Sequence, residues 1–134
     1  MLRLRRAVTV LTLLVATLVP MGCTTRTDPV AGSWVATEAS PTAIVAGTQI
    51  ILVFETGALR AAAGCNAISA RTAGIAEGRL KVRDLNSGQV ACAEDRGRQE
   101  GWLMQLLGSE PKAEISDGTL TIEGDVGRLR LVRK

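Results

Sequence analysis

The side chains that could do chemistry are few and lie close together in the sequence. Cys65 and Cys92 are 27 positions apart, Asn66 follows the first, and Glu94, Asp95 and Glu100 follow the second. Thiols and carboxylates in one stretch raise three readings: a disulfide, a soft-metal site or an acid/base pair. The chain has no His, which removes Ser-His-Asp and Cys-His nucleophile systems and His-ligated metals. Two thiols without His leave a soft ion under-coordinated. Nothing fixes the separation of the carboxylates, and charges near a helix start are usually solvated or complement the helix dipole. The steps Gly32-Ser33 and Gly57 open no helix after a strand, so neither is a phosphate loop. The expectation is a protein with no catalytic residue, metal or cofactor. Asn66 after Gly64-Cys65 reads as a residue satisfying its own turn backbone, and an exposed functional amide is the alternative. Gly64 then supplies an unusual φ or a close strand approach.

Where the chain works is written in its first thirty residues. Arg3, Arg5 and Arg6 precede an apolar run from Ala7 to Val19. A helix needs about 20 residues to cross a bilayer core, so this run suits the apolar region of an export signal. Cys23 follows Val19-Pro20-Met21-Gly22, and a polar stretch from Thr24 to Pro29 comes next. A Cys directly after Gly at this point resembles the lipobox of bacterial lipoproteins, which implies acylation of Cys23 as the first mature residue. Residues 1–22 are then a signal peptide and 23–29 a lipidated tether. The alternative is cleavage nearby by an ordinary signal peptidase, leaving Cys23 a free or disulfide-bonded thiol. In an exported chain Cys65 and Cys92 read as a disulfide with Cys23 left over for lipid. The competing reading is two small buried hydrophobes. Removing the leader also removes the net charge of +3, leaving 13 basic against 13 acidic residues. A neutral domain lacks the footprint of phosphate-backbone binding, so nucleic acid is not an expected partner.

The elements that must position these residues are mostly strands. Gly32–Thr37, Thr48–Glu55, Ile68–Ala76, Arg79–Leu85, Thr119–Glu123 and Arg128–Arg133 carry strand patterns, and Ala58–Ala63 is weakly patterned. Glu77-Gly78, Asp117-Gly118 and Gly124-Asp125 separate them as turn signals. Between Glu94 and Leu107 the pattern changes: Trp102, Leu103, Leu106 and Leu107 recur at helical spacing, with Gln99 one turn earlier. The core must be aliphatic, with Trp34, Phe54 and Trp102 as its few large pieces. Seven or so short strands and one late helix predict a mainly β fold, a small antiparallel barrel.

With these pieces in order, the chain resembles the META domain, or HslJ-like, family of bacterial envelope proteins. The residues that carry the resemblance are Gly32-Ser33-Trp34, Ile50–Phe54, Gly64-Cys65-Asn66, Val90-Ala91-Cys92, Gln99-x-x-Trp102-Leu103-x-x-Leu106, Gly118–Ile122 and Leu129-Arg130-Leu131. The set spans residues 30–134. It implies a lipocalin-like β-barrel with one helix, often lipid-anchored, and it supplies no catalytic residue. The functional expectation is a non-enzymatic, lipid-anchored envelope protein facing outside the cytoplasm, on the cell membrane or in the outer envelope. It would act as an interaction or stress-tolerance module with an envelope protein as partner. The alternative is a carrier of a small apolar ligand inside the barrel, where Ala61, Ala62 and Ala63 leave room.

Overall fold

The computed structural model describes residues 18–23 and 28–134. The expected leader up to position 17 and tether residues 24–27 lie outside the described residues. No helix among the described residues is long and apolar enough to cross a membrane.

Eight antiparallel strands close into a barrel in sequence order: β1 (Gly32–Ser40), β2 (Ile51–Glu55), β3 (Ala58–Ala62), β4 (Ala67–Ala76), β5 (Arg79–Ser87), β6 (Lys112–Ser116), β7 (Thr119–Gly124) and β8 (Gly127–Arg133). The single helix, α1 (Glu94–Gly108), is inserted between β5 and β6. Closure is made by β1 against β8, with Val35 opposite Val132 and Ala36 opposite Leu131. A closed sheet has no unpaired edge, which removes the aggregation hazard of an open one.

Alternation decides which side chains enter. Leu52 and Phe54 of β2, Leu59 and Ala61 of β3, Leu120 and Ile122 of β7, and Leu129 and Leu131 of β8 are buried at period two. Their neighbours in the strands face outward with Arg60, Thr121 and Arg130 among them. A bulge between Ala36 and Glu38 shifts the phase of β1, so that Ala36 and Ala39 both pack against the core. Tight turns fall where the expected dipeptides stand. Glu77-Gly78 and Asp117-Gly118 each have φ between 51° and 74°, as a two-residue type I′ hairpin turn requires.

Two element expectations need correction. β6 carries no expected strand: Lys112-Ala-Glu-Ile-Ser116 consists largely of residues depleted in strands, and only its pairing with β7 makes it one. The β2 ladder begins at Ile51 and not at Thr48, because Thr48 is spent on a loop, its hydroxyl donating to the Val45 carbonyl at 2.7 Å.

The axis is filled. Trp34, Leu52, Leu59, Ile68, Leu80 and Leu120 meet Leu103, Leu106 and Leu107 of α1 in one continuous core. Ala61 and Ala63 are buried within it and Ala62 is exposed, so the room expected beside these alanines is occupied by packed side chains.

Candidate functional site

Helix α1 covers one mouth of the barrel, where the β1–β2 loop, the β3–β4 link and the β7–β8 turn come together. Its apolar stripe, Leu103, Leu106 and Leu107, is fully buried. Two polar residues continue that stripe toward the N-terminus, Gln99 and Glu100, each only 8% exposed. Buried polar groups must be paired, and these two bind the connections that surround the helix.

Gln99 accepts from the Val45 backbone N–H at 2.7 Å and donates through Nε2 to Thr48 Oγ1 at 2.9 Å and the Ala63 carbonyl at 2.8 Å. The β1–β2 loop and the β3–β4 link are thereby tied to one amide. Gly64 permits this approach. Its φ is +90°, and a Cβ there would meet Thr48 Cγ2 at 2.7 Å, so both readings of Gly64, the unusual φ and the close approach, hold together.

Glu100 accepts from the Asn66 backbone N–H at 2.7 Å and from Asn66 Nδ2 at 3.2 Å. The Asn66 side chain then reaches across to Val90. Its Oδ1 accepts from the Val90 N–H at 3.0 Å, and Nδ2 donates to the Val90 carbonyl at 3.2 Å. One carboxamide thus supplies a donor and an acceptor to a single residue's backbone, as a neighbouring strand does. The expectation that Asn66 serves its own turn is corrected: its partners lie 24 and 34 residues away, because the link out of β3 faces the chain that enters α1.

A disulfide joins Cys65 to Cys92 beside this amide, with Cα atoms 6.0 Å apart, inside the normal range for such a bridge. The sulfurs and a Glu100 carboxylate oxygen lie within 4.8 Å of one another. Bonded to each other, the sulfurs are not the thiolates that bind a metal, so in this state the cluster is a covalent staple beside a structural carboxylate. Cys23 is outside the bridge and exposed.

Of the other residues singled out, Trp34 and Trp102 occupy opposite ends. Trp102 is half-buried at the rim of α1, held by a 2.9 Å hydrogen bond from Nε1 to the Val126 carbonyl, and it is not a central core residue as expected. Trp34 is fully buried near the far mouth, where its Nε1 donates to the Val30 carbonyl at 2.8 Å. Arg133 lies 4.3 Å over the Trp34 ring and donates to the Ala31 and Pro29 carbonyls, each at 2.7 Å. These contacts fasten the chain where it enters β1. No buried side-chain nitrogen or oxygen among the described residues lacks a partner.

By sequence alone Glu100 reads as solvated with Glu94 and Asp95, and Arg133 carries no signal. The signal for Glu100 was present: it precedes Leu103 and Leu107 by three and seven positions, which places it on the buried stripe.

A closed antiparallel barrel with one mouth plugged by a stapled helix defines a small β-barrel domain. The META domain family model matches residues 28–134, and the chain belongs to that family. No curated protein matches the sequence. Two solution NMR structures are similar in fold. One, a protein from Burkholderia xenovorans, has a TM-score of 0.62 at 20% identity, over 77% of this chain and 81% of that one. The other has a TM-score of 0.64 at 13% identity, over 75% of this chain and 87% of that one.

Proposed function

We propose that the protein is a non-enzymatic module held to an envelope membrane through acylated Cys23, which presents its helix-capped mouth to an envelope partner. The observation that carries this reading is the placement of the two ends of the barrel. Pro29, Val30 and Ala31 are fixed at the mouth opposite α1 by Arg133 and Trp34. Asp28 is five positions beyond Cys23, with four residues between them, a reach of at most about 17 Å. An acyl group on Cys23 therefore keeps the Trp34 mouth next to the lipid surface and leaves α1 on the far side.

The export signal read from residues 1–22 and the neutral charge of the remaining domain support the same placement. Two acyl chains or more are needed for stable anchoring, and a diacylglyceryl group on Cys23 meets that requirement. The non-enzymatic reading is supported by the site itself. The carboxamides of Gln99 and Asn66 and the carboxylate of Glu100 are all engaged in holding backbone, and the two thiols beside them form a disulfide.

Fractionation of cells expressing the chain and its Cys23→Ser variant tests the proposal. The expected result is a detergent-extracted product with added mass at Cys23, and a variant that leaves the membrane fraction. A detergent-independent product with no mass on Cys23 overturns it.

A further inference from the structure

We propose that the crevice between the first turns of α1 and the β1–β2 loop binds a single ring-sized organic amine. This site is at the mouth of the barrel and its existence does not depend on acylation. Ile50, Val45, Trp102 and Gln99 are among the residues that line it. Its volume is about 160 Å³. An apolar cavity of about 150 Å³ accommodates one benzene ring, so the crevice takes one ring and little more.

The polar groups at the rim choose the chemistry. Gln99 has no donor to spare, since its two Nε2 hydrogens go to Thr48 and Ala63 while its Oε1 accepts from Val45. The Trp102 N–H is likewise committed to Val126, which fixes the indole and leaves its ring to line the crevice. Of the two charged residues at the rim, Arg98 is paired with Glu94 at 2.6 Å. Asp95 accepts only from the Arg96 backbone N–H, at 2.8 Å, and takes no ion-pair partner among the described residues. The charge left over at the edge of an aromatic, apolar crevice is thus a carboxylate. Asp95 is exposed and hydrated, so an ammonium group gains a modest ion pair there and adds contact with the indole face, whereas a ligand carboxylate is repelled.

The apolar fit sets the affinity and the charge sets the order of preference. A ligand of this size binds with a Kd on the order of 1 mM. An exposed ion pair contributes modestly, so the amine gains roughly three- to fivefold over its neutral counterpart.

The test titrates the purified chain with benzylamine, benzyl alcohol and benzoate while the two indole N–H resonances are followed by NMR. The chain has only two Trp residues, and Trp34, fully buried at the other mouth, is the internal control. The expected result is a shift of the Trp102 signal alone, with benzylamine binding best, benzyl alcohol severalfold more weakly, and benzoate least. Asp95→Asn brings the amine down to the level of the alcohol without changing the alcohol. Ala43→Leu, on the loop wall, fills the space and abolishes all three responses. A motionless Trp102 signal, equal movement of both indoles, or equal binding of the three compounds with no effect of Asp95→Asn overturns the proposal.

Discussion

The two mouths of this barrel are closed by different means. At the Trp34 mouth, the closing groups belong to strands that are already neighbours in the ladder. Arg133 of β8 reaches over Trp34 of β1 and holds the two carbonyls just before that strand. At the α1 mouth, the cover is an inserted helix that belongs to no ladder. Its ties come from segments distant in sequence: Gln99 holds Val45 from 54 residues away, and Glu100 holds Asn66 from 34. A ladder brings its own ends together, whereas a plug must be fastened, because its connections carry an ordering cost that no strand pairing offsets. The disulfide stands at the mouth that needs it.

Removing the staple tests that contrast most severely. The double variant Cys65→Ser, Cys92→Ser is expected to lose about 3 kcal/mol in the chain-entropy view of a loop this long. For a domain of this size the melting temperature falls by roughly 15 °C. Hydrogen exchange should separate the mouths: amides around Trp34 and Arg133 lose only the global stability, while those of α1 and of residues 88–93 open further through local unfolding. Equal acceleration at both mouths breaks the comparison. Glu100→Ala comes next. It leaves the Asn66 N–H without its acceptor in a half-buried place, at a cost of about 2 kcal/mol. A double-mutant cycle with Asn66→Ala, read by denaturant melts, should give a coupling of at least about 0.5 kcal/mol, as groups in one network do. Additive losses would show the two residues to be independent braces.

The same contrast explains what was legible beforehand. The strands and turns at the ladder-closed mouth are local signals: Arg128–Arg133 alternates, and Asp117-Gly118 marks a turn whatever surrounds it. The stripe of α1 was legible too, since Leu103, Leu106 and Leu107 repeat at helical spacing. The meaning of Asn66 and Glu100 was not. Each is an ordinary polar residue until the fold sets the β3–β4 link against the helix, and long-range pairing leaves no periodicity to read. β6 escaped for a related reason. Lys112–Ser116 has weak strand preference of its own and owes its conformation to five register partners on β7. Trp102 shows the opposite error, a large residue read as core that the helix carries at its rim.

The smallest expected effect probes the Trp34 mouth. Arg133→Lys keeps the positive charge and the aliphatic stem but loses the planar fork. The guanidinium now donates from two nitrogens to two carbonyls and stacks on the indole; an ammonium is a point charge and cannot hold both carbonyls in that geometry. The side chain is exposed at this position, so water takes over part of what is lost, and the cost is about 1 kcal/mol. The Trp34 indole N–H should shift in the NMR spectrum as its hydrogen bond to Val30 loosens, while the Trp102 signal and the α1 amides hold still. If α1 loosens as well, the two closures are coupled through the core. The barrel would then behave as one cooperative unit, and the division of labour between its mouths would be one of construction and not of stability.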